Sequence, residues 1–161
     1  MTESHITLPV ALLSEVVKFE AGPLKEILAD IDKSFGISGL TLSVDWEDTY
    51  NKLKPSDRSN LVTVVSKYVN ELKVSFKSYI IKDNVLRCSM LLSWTEHRIS
   101  FRVVPGAQFK HAQLAFENGG LVFQLDPKCV FTGSHTAGHV LPENTTTDSA
   151  AIMAAVAALK V

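Results

Sequence analysis

Three side chains within CVFTGSHTAGHVLPEN, residues 129–144, are of types that bind metals or act on carbonyl groups: Cys129, His135 and His139. A thiolate and two imidazoles suit zinc, with water or a distant carboxylate as the fourth ligand. The spacing, Cys-x5-His-x3-His, is looser than the tight ligand pairs of structural zinc motifs. No His-Glu-x-x-His supplies a built-in general base. Gly133, Thr136 and Gly138 predict a loop, so the two histidines are not placed on one face of a helix. Activation of Cys129 by either histidine is formally open, but the cysteine follows Pro127-Lys128 at a strand end, with nothing like a nucleophile elbow around it.

A second histidine pattern, His5-x-Thr7, matches half of the paired motif of two-histidine phosphoesterases. That chemistry needs a second copy facing the first across a cleft. His97-Arg98-Ile99-Ser100 has the wrong spacing, and His135-Thr136-Ala137 lacks the hydroxyl two residues on. GISGL and ENGGL lack both the spacing and the lysine of a phosphate loop. Cys88 falls on an apolar alternation and reads as a core thiol. By elimination the chain reads as a non-catalytic protein with no cofactor. A metal-dependent enzyme built on Cys129, His135 and His139 ranks third.

The elements that would position these groups are legible from periodicity. Val10, Leu13 and Val17, and separately Leu12, Val16 and Phe19, recur at helical spacing. Pro23 stands at a first helical position, Leu24, Ile27, Leu28, Ile31 and Phe35 form a stripe, and Gly36 stops it. Leu40, Leu42, Val44 and Trp46 alternate as a strand. Pro55-Ser56-Asp57 opens another helix along Leu61, Val64, Val65, Tyr68, Val69 and Leu72.

From Lys73 to Leu125 the alternation predicts a meander. It runs through Val74, Phe76 and Ile80, an Asp83-Asn84 turn, then Leu86, Cys88, Met90, Leu92 and Trp94. Ile99, Phe101 and Val103 follow, and Asn118-Gly119-Gly120 marks a hairpin between Ala112–Phe116 and Leu121–Leu125. A long connecting arm over 126–147 then leads to an Ala-rich C-terminal helix, 148–161, with Ile152, Met153, Val156 and Leu159 as its apolar contacts. The expected fold is a single α+β domain, 1–161. Its antiparallel meander sheet has about six strands, with amphipathic helices packed on one face and the Ala-rich helix at the end.

The alternation also sorts the two faces of that sheet. Trp46, Phe76, Met90, Trp94, Phe101, Phe116 and Phe123 form an apolar face, either core or the wall of a cavity for an apolar ligand. Lys73, Lys77, Arg87, Arg98 and Arg102 fall on the other face, which would bind anions. Only Tyr79 offers a stacking platform there, so nucleic acid is not the favoured partner.

The stretch from Val74 to Pro127, VSFKSYIIKDNVLRCSMLLSWTEHRISFRVVPGAQFKHAQLAFENGGLVFQLDP, resembles the strand–hairpin rhythm of small tubular lipid-binding (TULIP-like) proteins. The resemblance covers about a third of the chain. It implies a long helix cradled by a curved sheet, with an acyl chain between them, and it designates no site residues.

Composition narrows the partners. The 161 residues are 46% hydrophobic and 20% charged with net charge −1, which excludes a disordered chain and a strongly basic nucleic-acid module. Two cysteines are too few for a disulfide framework. No apolar run is long enough for a membrane span, and the start lacks the basic region of a signal peptide, so a cytoplasmic location is expected. Charge is uneven: residues 1–57 hold five Lys or Arg against ten Asp or Glu, and 73–111 reverse the balance. The function expected is a binding or assembly domain. It would use the apolar sheet face and the C-terminal helix for a hydrophobic ligand, a protein partner or a homo-oligomer contact. An anion binder is the alternative.

Overall fold

The computed structural model describes residues 6–106 and 112–129. The chain opens with two helices, α1 (Val10–Ala21) and α2 (Pro23–Phe35), hinged at Gly22. Pro23 costs α2 nothing in its first turn, where its missing N–H would have no partner. Gly36 ends the helix in the left-handed region, φ 70°, and its N–H donates to Asp32 O. Strand β1 (Thr41–Val44) follows, and then α3 (Trp46–Lys52), capped by Asp45, whose Oδ1 accepts from the Asp48 N–H at 2.9 Å.

A 3-10 turn, Arg58–Asn60, leads into α4 (Leu61–Ser75), which runs on through a π-helical turn, Phe76–Ile80. Helix α5 (Asn84–Ser93) precedes β2 (Arg98–Val103), and β3 (Ala112–Glu117) and β4 (Gly120–Leu125) form a hairpin. Its turn has positive φ at both Asn118 (52°) and Gly119 (78°), the twist a two-residue hairpin requires.

The sheet has four strands in the order β1-β2-β4-β3. β1 with β2 and β2 with β4 are parallel, and only β3 with β4 is antiparallel. The antiparallel meander of about six strands is therefore corrected to a smaller mixed sheet, while the α+β class stands.

The physical reason lies in residues 73–94. Apolar residues at 86, 90 and 94 fit alternation, but they are also one helical face at every fourth position. Asp83 decides between the two: its Oδ1 accepts from the Leu86 N–H at 3.0 Å, so it caps α5 instead of turning a hairpin. Phe76 and Ile80 likewise extend the α4 stripe of Leu61, Val65, Tyr68, Val69 and Leu72, all buried. The first half of the lipid-binding-like stretch is thus helical. A helical crossover of this kind is what joins parallel strands such as β1 and β2.

One face of the sheet meets the helices. Phe101 and Phe123 are register partners stacked at 5.5 Å, and Tyr68 of α4 lies over both at 6.5 and 5.8 Å. Phe35, Phe76 and Trp94 form a second aromatic knot with centroids 5.4–6.1 Å apart. The Trp94 indole Nε1–H donates to Arg98 O at 2.9 Å and ties α5 to the start of β2. The opposite face carries Thr41, Ser43, Arg98, Ser100, Arg102, Gln113 and Gln124, following from the same register.

Candidate functional site

The feature that the core does not explain is the outer face of α1. Its sequence, VALLSEVVKFEA, has charges only at Glu15, Lys18 and Glu20. Leu12, Val16 and Phe19 turn inward and are buried, and the helix packs on α2 and α4. At 100° per residue, Val10, Leu13 and Val17 then fall together on another side. They are 83%, 50% and 58% exposed. Ser14 and Ala21 share that side, and no charge interrupts it. Glu20 borders one edge and Lys18 the other. A helix with a second apolar stripe of this kind is normally covered on more than one side.

The surroundings make α1 a ridge. On the side bearing Glu15 the surface is hollow in two sections, of about 520 and 500 Å³, both bordered by Glu15. Phe19 and Pro23 border one section with Val62, Ser66 and Lys67. Tyr50, Pro55 and Arg58 border the other. Arg58 is fixed there: it donates from Nε to Tyr50 O and from Nη2 to Asn51 O, both at 3.0 Å, and stands over the Tyr50 ring at 5.5 Å. Glu20 is positioned by accepting from Trp46 Nε1 at 2.9 Å.

Helix α5 has a smaller patch of the same kind, with Val85 and Leu92 exposed beside the free thiol of Cys88. Cys88 is thus on the surface and not in the core, because 84–93 is a helix and residue 88 lies away from the buried Met90.

The residues singled out by sequence are distributed as follows. Phe76, Met90, Trp94, Phe101 and Phe123 are buried in one core cluster, with Trp46 and Phe116 packed at its margin. Lys73, Lys77 and Arg87 belong to the helical stretch and not to the sheet. Lys73 pairs with Asp30 at 3.4 Å. Arg98 and Arg102 alone share the second sheet face, and Arg102 pairs with Glu117 at 3.2 Å. The five cations are therefore not brought together. Cys129 closes a 3-10 turn, Pro127–Cys129. His135, His139 and the helix bearing Ile152, Met153, Val156 and Leu159 lie outside the described residues. Among the described residues no group of three His, Cys, Asp or Glu side chains could hold a metal ion, and no helix is long and apolar enough to cross a membrane.

Both α1 stripes are legible in the sequence, which holds nothing that ranks them. The signal available was the scarcity of charge in α1 compared with α2, where polar residues fill one side.

The chain matches no protein-family model, no curated protein and no solved structure.

Proposed function

We propose that this protein is an assembly domain whose contact surface is α1, and that its partner is a second copy of the same chain. The observation that carries the reading is the uncharged outer stripe of Val10, Leu13 and Val17, exposed on a helix whose other apolar stripe is already buried. Two-fold pairing favours such a surface, since one patch must complement itself. Its borders have opposite sign. With two α1 helices parallel about a two-fold axis, the Lys18 edge of one protomer faces the Glu20 edge of the other at nearly the same height. That is the charge arrangement that flanks helical seams. Of the aromatic side chains that sequence offered for an apolar ligand, Phe76 meets Trp94 and Phe101 meets Phe123 in the core, with Trp46 and Phe116 at its margin, and none has a part in this reading.

Sedimentation velocity over a concentration series tests it. The expected result is a shift from the 17.7 kDa chain toward twice that mass as concentration rises. A monomer at every concentration up to about millimolar, the weak end of specific association, overturns it.

A further inference from the structure

The register of β1 and β2 builds a second arrangement, on the side of the sheet away from the core. Ser43 is the partner of Ser100, and Val44 of Phe101. Side chains alternate along a strand, so Ser43 and Ser100 share the face opposite to Phe101. Asp45 retains extended backbone as it leaves β1. It therefore continues that face in the next row, level with Arg102. The result is a row of two hydroxyls beside a row holding one carboxylate and one guanidinium.

These four residues line a crevice of about 300 Å³, together with Asp48 and Lys52 of α3. Its position is at the carboxyl ends of two parallel strands, where open α/β sheets hold small ligands. The volume is at the lower limit of small-molecule sites, which suits a compact polar molecule and not a macromolecule.

Existing bonds show which groups are committed. Lys52 and Asp48 neutralise each other at 2.7 Å. Asp45 spends Oδ1 on the Asp48 N–H, and Arg102 spends Nη1 on Glu117 Oε2. Asp45 and Arg102 line the same crevice, and among the described residues no ion pair joins them, which leaves Asp45 Oδ2 and the other guanidinium N–H groups for a ligand. A ligand with both an ammonium and a carboxylate satisfies both groups at once. The ammonium donates to Asp45 Oδ2, the carboxylate accepts from the planar guanidinium, and the Ser43 and Ser100 hydroxyls, each donor and acceptor, serve the atoms between.

We propose that this crevice is a binding site for a small zwitterion of the amino-acid or dipeptide class, held between Asp45 and Arg102 over Ser43 and Ser100.

The test is an amide NMR titration of the full chain with alanylalanine. Saturable shifts are expected at the amides of Ser43, Thr49, Ser100 and Val104. Asp45→Asn keeps the cap of α3, because asparagine caps as well as aspartate, yet removes the charge. It and Arg102→Gln are each expected to weaken binding about tenfold or more, as loss of one charge-assisted contact does. The N-acetylated dipeptide and the dipeptide amide should each bind more weakly by a similar factor. Absence of saturable shifts, or affinity unchanged in either variant, overturns the proposal. So does equal binding by the acetylated dipeptide. Inorganic phosphate that shifts the same amides regardless of Asp45 would make the crevice an anion site instead. Self-association through α1 is read separately, by sedimentation.

Discussion

Leu13→Lys is the most direct perturbation of the α1 face. Leu13 is half exposed, so replacing it should lower folding stability by no more than about 1 kcal/mol. Its effect on association is calculable. The unburied parts of Val10, Leu13 and Val17 together equal about two whole side chains, worth roughly 3–6 kcal/mol per protomer if fully covered. A two-fold dimer gains twice that, against an association cost of about 4–15 kcal/mol. The favourable end of that difference is about 8 kcal/mol, so the dimer is micromolar at its tightest. Lysine removes about 1 kcal/mol of burial from each protomer, hence about 2 kcal/mol per dimer, before any cost of desolvating the ammonium. The dissociation constant should rise roughly 30-fold or more. Sedimentation equilibrium on both proteins measures it, with a thermal melt confirming that the fold is intact. Unchanged association of Leu13→Lys would refute the assignment. So would loss of association in Leu92→Lys alone, which would move the contact to α5.

Three further outcomes follow from the packing. Trp94→Phe removes a fully buried indole and the hydrogen bond to Arg98 O, and should cost about 2–4 kcal/mol in urea unfolding followed by circular dichroism. Asp83→Ala should cost about 1 kcal/mol by the same method, whereas Asp83→Asn should be nearly neutral, because only the first removes the α5 cap. If both are neutral, the capping account of residues 83–93 is wrong. Gly119→Ala places a Cβ against Thr95 Oγ1 at a φ of 78°, and should cost at least about 1–2 kcal/mol. Adding Thr95→Ala should recover the collision but not the backbone part.

Much of the local structure was readable. Pro23 and Gly36 bracket α2 as their backbone limits require, and Asn118-Gly119 forms the hairpin, because turn and cap chemistry involve only neighbouring residues. Residues 73–94 were not readable, since apolar side chains four apart satisfy a strand face and a helix face equally. That ambiguity carried over to function. Alternation puts Lys73, Lys77 and Arg87 on a sheet that does not include them, and Cys88 inside when it is outside. The crevice residues Ser43, Asp45, Ser100 and Arg102 lie more than fifty positions apart in two pairs. Only the parallel register of β1 and β2 sets them side by side.

Helix α1 separates the two kinds of information most clearly. The sequence by itself determined that the segment from Pro9 to Phe19 is a helix with two apolar stripes, because helical period and charge content are local properties. It could not determine which stripe faces water, because burial is a relation between surfaces. Packing of α1 on α2 and α4 leaves Leu12, Val16 and Phe19 buried, and with that choice made, Val10, Leu13 and Val17 are left on the outside.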